Sequence, residues 1–499
     1  MAKQYATPGV YIEEKSAFSN SVVSVATAVP AFIGYTQKAK AGKKDLTNVP
    51  MRITSMVEYI SYFGGAPVTQ FTIGADDNNY SLEVDEDSNY NLFRSLQLFF
   101  ANGGGASYIV SVGAYAGGVK VSSLVGAENG GGLTALLKEQ EPTLVVIPDA
   151  VLLEEGDCAT VQQAMIKHCG ADTRSRFAIL DVWNGHQART LLDDDVVTAA
   201  RTGYGGNFLD FGAAYYPWLN ATVVSSDDLS YQNISNAEGL IEILNSEVDE
   251  NVAAGYVKEE KGDMIKEEIA KISDDDANST AVSNLLKAVS PIYNDILGQM
   301  KEALNVLPPS GAVAGIYALV DSSVGVHKAP ANVSVSAVTG PTVNITSEEQ
   351  ENLNLPLSGK AVNAIRPFVG KGTLVWGART LDGNSGDWRY INVRRTMIML
   401  EQSIKFACEP YVFRPNDSNT WLAVRTMISN FLRNQWQSGA LVGNSEAEAY
   451  AVDCGLGATM TPQDVLDGYM KVSVKVAISR PAEFIVISFQ QKMPGGSGE

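Results

Sequence analysis

The sequence predicts a multidomain chain of mixed class, an α/β domain followed by an α+β domain. Three observations predict this. Segments of strand and helix character alternate over roughly 150 residues after Pro30, which is the pattern of a layered α/β domain. Beyond about Asn352 the texture changes to short strands and long helices. Charge is also divided along the chain. Asp227 to Glu302 holds 17 acidic and 6 basic residues, whereas Leu353 to Trp436 holds 11 basic and 5 acidic.

The bulk numbers agree with a large globular protein. At 499 residues the chain exceeds one ordinary core, so about two to four domains are expected. A hydrophobic fraction of 45% and a charged fraction of 19% suit a soluble globular chain. No window approaches the roughly 18 consecutive apolar residues of a membrane span, and the opening Met1-Ala-Lys-Gln-Tyr5 lacks an apolar signal core. A net charge of −19 argues against a nucleic-acid partner gripped through its phosphates. Four cysteines (Cys158, Cys169, Cys408, Cys454) are too few for a disulfide framework and fit a reducing compartment.

Residues 1–30 read as an arm, with a short strand at Gly9-Val-Tyr-Ile12 introduced by Pro8. Residues 31–350 form the α/β domain, opened by the apolar run Pro30-Ala-Phe-Ile-Gly-Tyr35. The polar segment of about 64–89 is rich in Gly, Asp and Asn and reads as an insertion or long loop. Leu92, Phe93, Leu96, Phe99 and Phe100 then fall at helical spacing within Tyr90–Ala101, and Gly103-Gly-Gly105 stops that helix. Strands follow at Tyr108–Val112, Leu144–Pro148 and Phe177–Val182, with a helix at Cys158–Cys169, and Ala213–Trp218 closes the series. The acidic segment of about 225–310 reads as a helical decoration, after which Ile316–Val320 resumes the α/β pattern.

Residues 351–483 form the α+β domain. Thr373–Trp376 and Trp388–Ile391 read as strands, and Val393–Cys408 and Thr420–Gln437 as helices, the second capped by Asp417 or Ser418. Val472, Val474, Val476 and Ile478 alternate with polar residues, which predicts a half-buried strand. Residues 484–499 contain a terminal strand, Phe484-Ile-Val-Ile-Ser-Phe489, introduced by Pro481. β-Branched and aromatic residues suit a pleated, packed surface, whereas chain ends are ordinarily frayed and polar. A sticky strand at each terminus therefore predicts pairing with other copies of the chain.

Nothing in the sequence requires catalysis. The three histidines (His168, His186, His327) form no ligand set, and the spacing of Cys158 and Cys169 is not that of a zinc site. Asp193-Asp-Asp195 reads as a solvated turn. The segment from Asp85 starts like a calcium loop, but Tyr90 stands where glycine is needed and Leu96 where glutamate is needed. Gly103–Gly105 and Gly130–Gly132 fit neither phosphate-binding spacing. No catalytic residue, cofactor or metal is predicted. The glycosylation-type triplets at Asn233 and Asn344 carry no weight without export.

Several motifs carry a resemblance. Tyr5-Ala-Thr-Pro-Gly-Val-Tyr-Ile-Glu-Glu14, Val29–Tyr35, Asn91–Gly105, Val146-Ile-Pro-Asp149 and Ala318-Leu-Val-Asp321 are similar to contractile tail sheath proteins. So are Asn363-Ala-Ile-Arg-Pro367, Trp376-Gly-Ala-Arg-Thr-Leu381, Trp388–Arg395 and Glu409-Pro410. That family includes the sheaths of phage tails, R-type bacteriocins and contractile injection systems.

The resemblance implies an inner α+β domain built from both termini, α/β inserted domains outside, and terminal arms exchanged between neighbours. It implies a helical homo-oligomer of stacked six-membered rings around an inner tube, assembled in the bacterial cytoplasm with baseplate and terminal cap proteins. Contraction would drive the tube through a target envelope, with no nucleic acid bound and no insertion of the sheath into a membrane. The exchanged strands would contain Val10, Tyr11, Ile12, Phe484, Ile485, Val486, Ile487 and Phe489. From the charge split, the basic domain would face the inner tube and the acidic insertion solvent, with Arg425 and Arg433 as contacts or, equally, as charges that solvate the helix or pair within the ring. A non-contractile tail or baseplate component and an oligomeric α/β enzyme are the alternatives.

Overall fold

The computed structural model describes residues 22–76, 79–126, 130–190, 195–274 and 278–488. The expected strand residues Val10, Tyr11, Ile12 and Phe489 lie outside them. The chain divides into two compact units. The larger contains Ala26–Ile398 and the chain from Arg480 onward, and the smaller contains Met399–Ser479 with the described residues up to Val25.

The larger unit is built on a nine-stranded sheet. Its strands are β1 (Pro30–Thr36), β2 (Met51–Ile53), β3 (Ser107–Ala114), β4 (Leu144–Val146), β5 (Phe177–Asp181), β6 (Gly212–Tyr216), β7 (Val333–Ser334), β8 (Val362–Phe368) and β9 (Gly372–Val375). Their order is β7-β9-β8-β6-β5-β4-β1-β3-β2. The six from β8 to β3 run parallel, and antiparallel strands close both edges. Residues 362–375, expected in the C-terminal domain, thus contribute two strands to this sheet.

Both sheet faces are covered, so the strands are almost continuously apolar. Side chains alternate between the faces. Ile33, Val145, Leu180 and Tyr216 enter one core, and Phe32, Val146, Ile179 and Tyr215 enter the other. Helices α1 (Leu92–Ala101), α2 (Glu155–Lys167), α3 (Val196–Gly203) and α4 (Ser310–Ser323) supply the outer layers. Cys158, Val161 and Met165 of α2 pack on the first face, and Leu96 and Phe99 of α1 with Ile316 of α4 pack on the second. Ile316–Val320 is therefore helical. Its helix lies close to α1, because a Cβ on Gly311 or Gly315 would stand 2.4 Å from the carbonyl oxygens of Ser95 and Phe99 respectively.

The segment read as a long loop is instead an antiparallel hairpin, Phe71–Asp76 with Asn79–Val84. It packs on four helices of the acidic segment, Ala237–Ala253, Glu259–Ala270, Ser279–Val289 and Pro291–Leu304. Phe71 and Ile73 share a core with Leu240, Leu244, Tyr293, Leu297 and Met300. Asn236 binds Ile73 twice, accepting from its N–H (2.8 Å) and donating to its carbonyl (2.6 Å). Two segments about 150 residues apart in sequence are thus one subdomain.

Helix α5 (Ile391–Cys408) begins inside the segment expected as the strand Trp388–Ile391, where only Tyr390 makes an isolated bridge, to Arg379. In the smaller unit, α6 (Ser418–Gln437) is capped by Asp417, whose carboxylate accepts from Thr420 N–H at 2.9 Å. Val424, Met427, Ile428, Phe431 and Leu432 form its buried face. Strands β10 (Tyr450–Asp453) and β11 (Ser473–Val476) pair antiparallel as a separate two-stranded sheet.

Candidate functional site

A parallel sheet of this kind binds ligands where its strand order reverses, outside the carboxyl ends of the strands. Here the reversal lies between β1 and β4, and the chain's own Asp149 occupies it. Asp149 is fully buried. One carboxylate oxygen accepts from Asn91 N–H (2.6 Å) and Leu92 N–H (3.1 Å) at the start of α1, and the other accepts from Tyr35 N–H (3.2 Å) in β1. A helix start of this kind is suited to binding phosphate, but a side chain already satisfies it. Burial pushes the Asp149 carboxyl up to about 6 against those three N–H donors. Asp181, at the end of β5, plays the same part for α4 by accepting from Ser310 N–H at 2.8 Å. Burial pushes its carboxyl up to about 7.

The other titratable candidates also have structural roles. His168 is buried with its Nε2 2.6 Å from the Arg176 guanidinium, and burial and that cation push it down to about 3, so it is neutral. Asp195 caps α3 and pairs with Arg189 at 2.7 Å. Among the described residues no three His, Cys, Asp or Glu side chains cluster as a metal site would require.

The basic segment presents less charge at its surface than its count suggests. Three of its arginines are buried and paired inside the larger unit: Arg379 with Glu483 (2.7 Å), Arg394 with Asp210 (3.6 Å) and Arg395 with Asp321 (2.6 Å). Arg394 also lies over the Phe211 and Trp388 rings, and Arg395 over Tyr317. Met399–Ser479 carries eight acidic and six basic residues, so the smaller unit has no cationic excess. On α6, Arg433 is held by Glu446 of the same unit (2.8 Å). Arg425 is exposed, with no carboxylate in ion-pair range among the described residues. Only Arg425 of the two remains available for a partner.

The C-terminal run behaves unlike the rest of the chain. Phe484, Ile485, Val486 and Ile487 are 66%, 79%, 89% and 69% exposed, and no strand is formed there. Immediately before them Glu483 is tightly held. Arg379 donates from Nη2 to Oε2 (2.7 Å) and from Nε to Oε1 (3.0 Å), Asn354 Nδ2 donates to Oε1 (2.6 Å), and the Tyr390 hydroxyl donates to Oε2 (3.1 Å). Burial alone would raise this carboxyl, but Arg379 and Asn354 outweigh it and hold it below the usual range. Sequence reasoning missed this cluster. Its visible trace was a lone carboxylate one residue before an apolar run, with Arg379 and Tyr390 inside two of the quoted motifs.

Comparison with known proteins gives these features a family. Residues 384–492 match the phage tail sheath C-terminal domain. A tail sheath protein of Burkholderia phage BcepMu is 26% identical over 141 residues, a stretch spanning 27% of this chain and 29% of that relative. A chain of the anti-feeding prophage helical sheath in its contracted state is 29% identical with a TM-score of 0.61, covering 98% of this chain and 100% of that one. The contracted sheath complex of the extracellular contractile injection system PVC is 29% identical with a TM-score of 0.60, covering 98% and 99%. A chain of the anti-feeding prophage baseplate structure is 30% identical with a TM-score of 0.60, covering 98% and 100%. With both cores, the arginine pairs and the terminal run all inside the matched length, this chain belongs to the contractile tail sheath family.

Proposed function

We propose that this protein is the repeating subunit of a contractile sheath. Copies stack as six-membered rings around an inner tube, and contraction drives that tube through a target envelope. The observation that carries the reading is the terminal run Phe484–Ile487, four consecutive apolar side chains exposed and without a strand partner among the described residues. Exposed runs of this kind are templates for strand addition. The smaller unit offers a matching acceptor, since β10 and β11 pair only with each other among the described residues. A two-stranded sheet is marginal alone and gains from added strands. A head-to-tail contact that does not close generates a helical filament.

The subunit needs no bound fuel in this reading, and the occupied crevice at Asp149 supports that. Its partners are other copies, the inner tube, the baseplate and a terminal cap, with assembly in the bacterial cytoplasm. The terminal arms of 1–30 and 484–499 cross to neighbours. Likeness to a chain within a baseplate structure favours a second reading, a baseplate component that forms no long tubes.

Electron microscopy of the purified protein separates the two, because a sheath subunit forms tubes. Deleting residues 484–499 is expected to leave a folded subunit that forms none. Tubes of normal length from the deletion would refute strand exchange.

A further inference from the structure

We propose that the Arg379–Glu483 clamp sets the register of the terminal strand in its neighbour, a reading that rests on the strand exchange proposed above. From Arg480 to Ser488 the chain forms no backbone–backbone hydrogen bond with any other described residue. Apart from an exposed 3.7 Å contact of Arg480 with Asp387, its side chains are held among the described residues only at Glu483. Among the described residues the tail is thus tied to its own subunit chiefly at Glu483.

That point is rigid. The Arg379 guanidinium is almost fully buried and its Nη1 also donates to Gly383 carbonyl at 2.8 Å. The Arg379 N–H donates to Asn363 Oδ1 (2.8 Å), and Asn363 Nδ2 returns a bond to the Arg379 carbonyl (2.8 Å). Asn363 lies in β8, so Glu483 is connected through two residues to the sheet of the larger unit. A bidentate arginine–carboxylate pair fixes direction as well as distance.

The consequence follows from strand geometry. At about 3.3 Å per residue, Phe484–Ser488 reaches about 17 Å from the clamp. If Glu483 is released, the next backbone attachment is Ser479, whose N–H is bound to Ala440 carbonyl at 3.0 Å. Four further residues, about 13 Å of chain, would then be free to slide. A slip of one residue turns every side chain of a strand to its opposite face. A free tail could therefore pair in several registers, and the clamp selects one.

The test is a cysteine scan of assembled tubes. Residues 484–487 are changed to Cys one at a time in a Cys408→Ser background, and alkylation rates with iodoacetamide are measured in tubes and in free subunits. Alternating protection is expected in the unaltered clamp, with at least tenfold slower alkylation at every second position. In Glu483→Ala, and in Glu483→Gln should the first fold poorly, the contrast between positions is expected to fall below about threefold while the free subunit stays folded, with a lower melting temperature because Arg379 loses its partner. Folded variants that form no tubes support the same role in stronger form. An unchanged protection pattern in both variants would overturn the clamp while leaving strand exchange intact. No protection at any position in tubes with the clamp unaltered would overturn strand exchange itself.

Discussion

Asp149→Asn tests whether the crevice of the parallel sheet is occupied by a charged group. The carboxylate offers two acceptor oxygens to three N–H donors. Asparagine offers one oxygen, and its amide group must face a donor on the other side. An unsatisfied buried donor costs about 1–3 kcal/mol. Against this stands the cost of ionising a buried acid. Raising the carboxyl from 3.8 to about 6 corresponds to about 3 kcal/mol. The sign follows from linkage. The folded state holds the proton more tightly than the unfolded state, so this contribution is fully present below about pH 4 and is lost as pH rises through 6. Asp181, raised to about 7, acts in the same direction. Urea unfolding of the two proteins at pH 4.5 and pH 7.5 measures the difference. The penalty of the substitution is expected to be larger at pH 4.5, where about two-thirds of that contribution remains, and to shrink by about 2 kcal/mol at pH 7.5. A penalty that is constant, or that grows with pH, would show that Asp149 is not a buried acid of raised pKa.

Other positions give further expectations. Arg425→Glu is expected to weaken co-sedimentation of the sheath with inner-tube protein, and Arg433→Glu to have less effect, because Glu446 already holds Arg433. Equal binding by the Arg425 variant would remove that residue from the tube contact. Arg395→Ala leaves Asp321 buried without its partner and is expected to cost about 3–5 kcal/mol, seen as a fall in melting temperature. Asn236→Ala removes both bonds to Ile73, so limited proteolysis is expected to cut the Phe71–Val84 hairpin faster than in the unaltered protein.

Much of the larger unit was legible because its elements are strongly periodic. The run at Pro30 is apolar throughout since both faces of β1 are covered, and the spacing from Leu92 to Phe100 could only suit a helix. The hairpin at Phe71–Val84 was missed because Gly, Asp and Asn dominate its composition, although Phe71 and Ile73, and Tyr80, Leu82 and Val84, do alternate. Its partners lie in the acidic helices, and no local signal joins the two. Charge counting overstated the basic charge available at the surface. A count cannot see burial, and Arg379, Arg394 and Arg395 each face a carboxylate more than 70 residues away in sequence. The strand character of Phe484–Ile487 was plain, but a strand exists only with a partner, and no described part of this chain supplies one.

A cryo-EM reconstruction of tubes assembled from the unaltered chain would identify that partner. Phe484–Phe489 is expected as a strand hydrogen-bonded to the edge of β10 or β11 in a different copy, with Glu483 still bound to Arg379 of its own. A reconstruction in which the segment pairs within its own subunit, or crosses to no neighbour, would contradict strand exchange.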